Sequence, residues 1–305
     1  MKGHYVSAGP LRRGDKACLV APAGAVPAPE IVRRAEDFLR SAGLQVYTDP
    51  QVFARFGSLA GTDAARLTAV QRALDDPSCR LIWAVRGGYG SIRLIDRLDW
   101  TAFKRQPKWL AGFSDITVLH TELHRLGYAS LHSWMPVNLT DDQPQEIRRA
   151  FLDLLFDRPP AVRFAHDSQN LRAREVEGIL TGGNLATLVS MIGRPGLDLR
   201  GKILFVEDIG EHLYAVDRLF RSLSVAGWLK GLAALVVGHF TDIKQDDPPF
   251  PYSVKQIVRQ VTAGEDYPVF FGFPAGHEPL NYPLVLGGNY RIEADGAFWQ
   301  LSQVG

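Results

Sequence analysis

Short apolar runs at KACLVAPAG, LQVYTD, CRLIWAVRG, KWLAGF and YASLHS are separated in the first half of the chain by stretches with helical spacing. Runs of this length bounded by turn residues read as strands buried on both faces, and their alternation with helices predicts an α/β fold on a mostly parallel sheet. Ile31, Val32, Ala35, Phe38 and Leu39 recur at the spacing of one helix face, and Gly43 follows as a C′ residue. From Pro136 to Asn170 the chain turns polar and proline-marked, with one helix at PQEIRRAFLDLLFD, so a linker is expected there. The domains are therefore drawn as 1–160 and 161–305. The second half predicts strands at REVEGILTG, KILFVED, ALVVGHF and PVFFGF, and helices around NLATLVSMIG, LYAVDRLFRSL and SVKQIVRQV. It ends in a hairpin whose turn is Asp295-Gly296, a strong two-residue turn signal.

Composition narrows the function classes. Over 305 residues, 34 basic side chains face 33 acidic ones, which argues against nucleic acid or an anionic membrane surface as partner. The start, MKGHYVSAGPLRRGDK, has no apolar core of signal-peptide length, and no run approaches the roughly 18 apolar residues that span a bilayer. A cytoplasmic location is expected. Cys18 and Cys79 fall in apolar strands, so buried thiols are expected rather than a disulfide.

The chemistry starts at KWLAGFSDITVLH, where Ser114 sits between an apolar run and an amphipathic segment. A strand-to-helix turn presents a nucleophile there, with the Asp115 amide and the helix dipole facing developing negative charge. A helix N-cap is the competing use of such a serine. The G-x-S-x-G elbow is not matched, because Ile116 stands at the second glycine. Upstream, LIWAVRGGYGSIR places Gly87, Gly88 and Gly90 after a strand, where backbone amides can approach an oxyanion closely. No Gly-Lys-Ser/Thr follows, which disfavours a nucleotide P-loop. Arg86 beside them suits a substrate carboxylate, through a bidentate fork.

Glu207 emerges at the end of KILFVED, where open α/β sheets place ligands, and Asp208 is its equal by spacing. His277, on the constrained loop FGFPAGHEP, is a mount for a proton carrier, with His132 and His239 as rivals. Ser, Glu and His together suggest hydrolysis. His120 and His124 in HTELH lie four apart, but the pattern is not H-E-x-x-H and no third ligand is evident, so two histidines flanking a partly exposed helix face are expected rather than zinc.

The chain resembles the LD-carboxypeptidases, serine peptidases that include muramoyltetrapeptide carboxypeptidase and the microcin C immunity peptidases. The likeness runs from VAPAGAV through SLAGTDAAR, IWAVRGGYG, AGFSDITVLH, EGILTGGNLATL and ILFVEDIGEHLYAVDRLF to the PAGH loop. It implies Ser114 as nucleophile, Glu207 rather than Asp208 as the acid, and His277 as the base. It implies an oxyanion hole from amides near Gly87 or Gly88 and at Asp115, with Gly182, Gly183 and Asn184 lining the site. It also implies an N-terminal Rossmann-like domain with a mostly parallel sheet and a second, smaller α/β domain. Where relatives commonly read His-Gly-Pro, this chain has His132, Ser133 and Trp134.

The implied substrate is a murein tetrapeptide that loses its terminal D-alanine during cell-wall recycling, with no metal or organic cofactor. Relatives are often homodimers, so a homodimer is expected. Two alternatives stand beside this reading. One is an immunity-type peptidase acting on a peptidyl or aminoacyl nucleotide, with Trp134 or Trp83 stacked on the base. The other is a non-catalytic muropeptide-binding protein.

Overall fold

A computed structural model describes residues 5–304. The chain divides into two compact units, one running to Pro159 and including Tyr282–Val285, the other comprising Pro160–Asn281 and the chain from Leu286 onward. In the first unit β1 (Lys16–Val20), α1 (Pro29–Ser41), β2 (Gln45–Thr48), α2 (Asp63–Asp75), β3 (Cys79–Ala84) and α3 (Thr101–Arg105) come in order. They are followed by β4 (Trp109–Gly112), α4 (Thr117–Arg125), β5 (Ser130–His132) and α5 (Gln145–Leu155). The second unit has β6 (Val162–Ala165), β7 (Val176–Asn184), α6 (Leu185–Val189), β8 (Lys202–Ile209), α7 (Leu213–Val225), β9 (Ala234–Thr241), α8 (Val254–Val261) and β10 (Val269–Phe271). After β11 (Leu284–Leu286), the chain closes with β12 (Asn289–Asp295) and β13 (Phe298–Gln303).

The first sheet has the order β11-β5-β4-β3-β1-β2, and β1 to β5 pair in parallel, as the apolar runs predict. This is a doubly wound α/β arrangement whose strand order reverses between β1 and β3, the crevice where such sheets take ligands. α1 follows the predicted periodicity, burying Val32, Ala35 and Leu39, and Gly43 at φ 89° supplies its left-handed exit. Proline at its start fits the first turn, where no intrahelical N–H is needed.

The second sheet, β10-β9-β8-β7-β12-β13-β6, is parallel from β7 to β10 and antiparallel where the closing hairpin joins. The closing hairpin forms one residue later than the Asp-Gly signal predicts: Asp295 still pairs with Phe298, so Gly296 and Ala297 make the two-residue turn, with Gly296 at φ 61°. Its core packs Leu204, Val206, Leu235 and Val237 of β8 and β9 against Val216 and Phe220 of α7 and Ile257 and Val258 of α8.

Within the stretch from Pro136 to Asn170 the expected helix forms as α5, but it is packed into the first unit rather than lying in a linker. α5 buries Ile147, Ala150, Phe151, Leu154 and Leu155 within the first unit, and the change of unit comes at Pro159–Pro160. Phe151 joins Trp83, Trp134 and Phe38, with ring centroids 5.0–6.4 Å apart. Each such ring removes about 150–250 Å² from water, roughly 4–6 kcal/mol of transfer free energy before entropy is counted. Polar flanks on a half-buried helix hid this packing.

Candidate functional site

In the first unit β4 ends at Gly112, and Ser114 opens a 3-10 turn, Ser114–Ile116, that leads into α4. Ser114 has φ 61°, a left-handed backbone that costs a non-glycine residue on the order of 1 kcal/mol or more. Capping does not explain it. The residues preceding the turn and α4 are Phe113 and Ile116, and neither start carries a side-chain cap bond. A strained serine at a strand-to-helix turn is how an elbow exposes a nucleophile, even though Ile116 replaces the second glycine.

Glycines bring backbone onto that hydroxyl. A Cβ at Gly87 would lie 3.0 Å from the Ser114 Cβ and 3.2 Å from its Oγ, so only glycine lets the turn after β3 pass so near. The Gly24 amide donates to the Gly87 carbonyl at 2.9 Å, and a Cβ at Gly24 would sit 2.7 Å from that oxygen. The loops after β1 and β3 thus meet beside Ser114, at the reversal of strand order. Gly88 continues the turn at φ 99°.

Buried polar groups fix these loops. The Asp115 carboxylate accepts from the Ser91 amide at 2.8 Å, and burial raises its pKa against that bond. Arg66 is fully buried, donating to the Gly90 carbonyl at 2.9 Å and to the carbonyl of Pro22, and pairing with Asp63. No role for Arg66 was legible in the sequence, although it closes the SLAGTDAAR segment; a buried arginine looks like a surface one until its carbonyl partners are known. Arg86 lies across the loop after β1, its Nη1 donating to the Ala25 carbonyl at 2.6 Å.

The histidines of HTELH are corrected: both are buried rather than set on a partly exposed face, since α4 is covered from Thr117 to His124. His120 Nε2 is 2.9 Å from the Gly112 carbonyl and Nδ1 is 2.9 Å from Ser130 Oγ. A carbonyl only accepts, so Nε2 carries the proton and Nδ1 accepts from the serine hydroxyl. Full burial pushes the imidazole down to about 4. The unfolded chain takes up a proton near pH 6.5 and the folded protein only near 4, so stability is lost as pH falls through that window. We expect the stability advantage of wild type over His120→Asn to shrink by on the order of 2–3 kcal/mol between pH 7.5 and 4.5 in urea titrations. A pH-independent difference would contradict the neutral assignment. His124 Nε2 meets the Tyr5 hydroxyl at 2.8 Å. Among the described residues no group of three or more His, Cys, Asp or Glu is placed to hold a metal ion.

In the second unit Glu207, near the end of β8, is wholly buried and its Oε2 lies 2.7 Å from His277 Nδ1. Ionised carboxylate only accepts, so Nδ1 carries the proton and Nε2 is left as the basic nitrogen. Gly276, at φ 133°, makes this approach feasible, since a Cβ there would lie 3.1 Å from Glu207 Oε2 and from the His239 Cβ. Gly238 plays the same part for β9, where a Cβ would press to 2.4 Å from the Ala275 carbonyl.

Adjacent strand residues face opposite sides, and this separates Glu207 from Asp208. Asp208 accepts from the amides of Ala186 at 3.0 Å and Ile209 at 2.8 Å and from Asn184 Nδ2 at 2.8 Å. Burial pushes its carboxyl up to about 6. Asp208 therefore anchors the start of α6. Asn184 caps the same helix through the Thr187 amide at 3.0 Å and pairs in register with Glu207, with Gly183 beside Val206. Gly182 tolerates no side chain, since a Cβ would lie 1.8 Å from the Phe205 carbonyl.

Of the rival histidines, His132 is buried with its ring edge-on to Phe113, 5.8 Å between centroids, while His239 stands next to the Glu207–His277 pair. The tryptophans proposed to stack on a base are corrected: Trp83 and Trp134 are 0% and 1% exposed, packed edge-to-face in the core. The departure from His-Gly-Pro thus feeds the aromatic core.

A serine held in strained backbone and an imidazole held by a carboxylate are the parts of a nucleophilic hydrolase. The chain belongs to the LD-carboxypeptidase family: residues 18–133 match its N-terminal domain and residues 177–292 its C-terminal domain. It is 31% identical over 294 residues to the murein tetrapeptide carboxypeptidase of Pseudomonas aeruginosa, covering 93% of this chain and 95% of that one. The crystal structure of muramoyltetrapeptide carboxypeptidase from Oxalobacter formigenes superposes with a TM-score of 0.83 at 31% identity, over 94% of this chain and 97% of that one. The microcin C7 self-immunity protein MccF, in complex with aspartyl sulfamoyl adenosine, shares the fold at a TM-score of 0.84 and 22% identity, over 98% and 99% of the two chains.

Proposed function

We propose that this protein is a serine LD-carboxypeptidase that removes the terminal D-alanine from murein tetrapeptides, with Ser114, His277 and Glu207 acting on one bond. The reading rests above all on the 2.7 Å Glu207–His277 hydrogen bond, which leaves a basic Nε2 for a serine proton. The strained Ser114 turn and the carboxypeptidase relatives at 31% identity support it.

In this mechanism His277 Nε2 takes the Ser114 proton as Oγ attacks the carbonyl of the diamino acid's L-centre. Glu207 holds the ring and stabilises its cationic form. Amides at Asp115 and at Gly87 or Gly88 receive the oxyanion, each donor contributing on the order of a hundredfold to a thousandfold. The imidazolium then protonates the leaving D-alanine nitrogen, and water, activated by the same base, frees the tripeptide. Arg86 has guanidinium donors beyond the one on Ala25, and we assign it to the terminal carboxylate. No step calls on a metal or organic cofactor.

The substrate arises from cell-wall turnover, and we place the reaction in the cytoplasm, in keeping with two buried, free thiols at Cys18 and Cys79. No helix among the described residues is long and apolar enough to cross a membrane. We also propose a homodimer, by analogy with relatives. Mass spectrometry of the purified protein with murein tetrapeptide tests the function: the expected products are tripeptide and free D-alanine in equal amounts. Cleavage of an aminoacyl nucleotide with the tetrapeptide left intact would overturn the reading.

A further inference from the structure

β9 is irregular where it passes Glu207. Val206 pairs with Val237 and Asp208 with Phe240, so Gly238 and His239 together stand opposite Glu207. Two residues in the place of one make a β-bulge, which re-aims a side chain. Val237 and Phe240 both pack on the core shared with α7 and α8. Strict alternation would send His239 to that core face with Val237, and the bulge turns it to the other. A Cβ on Gly238 would lie 2.7 Å from the Phe205 ring, and one on Gly276 would lie 3.1 Å from both Glu207 Oε2 and the His239 Cβ. Phe205, Glu207 and His239 therefore share a face.

Buried polar atoms gather around Gly276. Glu207 Oε2 is held by His277, whereas Oε1 is buried with no hydrogen-bond partner among the described residues. His239 Nδ1 and Asn281 Nδ2 are buried in the same condition, and Asn281 Oδ1 accepts from the Gly276 amide at 3.1 Å. An ionised carboxylate out of water needs donors on both oxygens, and a histidine and an amide nitrogen can supply them. Burial pushes the His239 pKa down against the pull of Glu278 and Glu207, which keeps the ring neutral with one proton to place.

We propose that His239 is a positioning residue for the Glu207–His277 pair: its Nδ1–H, with Asn281 Nδ2–H, holds one bound water that donates to Glu207 Oε1. Both carboxylate oxygens are then satisfied, and the charge stays fixed behind His277 Nδ1–H. The inference rests on the peptidase reading above and extends the set of residues that serve its base.

The test compares His239→Leu with His239→Asn. The two side chains have nearly the same shape, so a packing defect falls on both, and only asparagine offers an N–H near the place of Nδ1. His239→Leu is expected to lower kcat for D-alanine release about 10- to 100-fold with KM within a few-fold of wild type. Its acid limb of kcat is expected to move up by about one pH unit, because the ionised carboxylate loses a hydrogen bond that favours it. The groups facing this limb are Glu207 on β8, His277 and Glu278 on the loop after β10, and His239, with Asp208 on the opposite face of β8. His239→Asn restores both the rate and the limb. Equal rates in the leucine and asparagine variants, or a limb that stays in place in His239→Leu, overturn the proposal. The rate of fluorophosphonate labelling at Ser114 gives a readout without peptide. Labelling slowed in His239→Leu and restored in His239→Asn, with tetrapeptide left intact by wild type, contradicts the reaction and not the positioning role. Cleavage and labelling that both ignore position 239 contradict the positioning role alone.

Discussion

Ser114→Ala is expected to lower kcat for D-alanine release by at least about 10⁴-fold while leaving tetrapeptide affinity within a few-fold of wild type. Removing the hydroxyl deletes the covalent route, and a residual rate from backbone amides and binding alone is orders of magnitude slower. The position argues that the loss is chemical. Ser114 pays the strain of φ 61° without capping a helix, and Gly87 leaves just enough space for its side chain. Alanine fits the same space and meets the same backbone strain, so the variant should fold. Circular dichroism and calorimetry with the tetrapeptide separate a folded, binding, inactive protein from a damaged one.

Glu207→Gln is expected to reduce kcat by about 10³- to 10⁴-fold. The amide keeps the volume but not the charge that holds His277 Nδ1–H and balances the imidazolium. The neighbouring change, Asp208→Asn, separates the two carboxylates experimentally. Its side chain serves two backbone amides and the Asn184 amide at the start of α6, so its loss is expected to cost about 1–3 kcal/mol of stability, with kcat within about tenfold of wild type. Steady-state kinetics and urea titrations of both variants check the pair. Equal kinetic losses would remove the distinction drawn from strand alternation.

Much of the fold was legible because apolar runs and helical periodicity report burial directly. β1 to β5 and α1 lie where those patterns put them, and the closing hairpin forms with its turn one residue further on. After Pro136 the helix itself was legible but its packing was not, since the polar faces of α5 masked the stripe that packs Phe151 onto Trp83 and Trp134. β11 was missed for another reason: a three-residue strand that joins a sheet built from the first half of the chain leaves no periodic trace.

The candidate site was legible as residue types at strand ends, but spacing left Glu207 and Asp208 equal until the resemblance chose between them. The strand's alternation, and the partners on each face, supply the physical reason. Arg66 passed unnoticed because charged side chains on helices look alike in sequence, whether they hold carbonyls or face water.

Labelling with a fluorophosphonate, followed by peptide mapping, tests the central claim that one serine and one carboxylate-held imidazole act together. The expected result is a single adduct on Ser114, formed at least about a hundredfold more slowly in His277→Ala. An adduct on another residue, or an unchanged rate without the imidazole, would contradict the account.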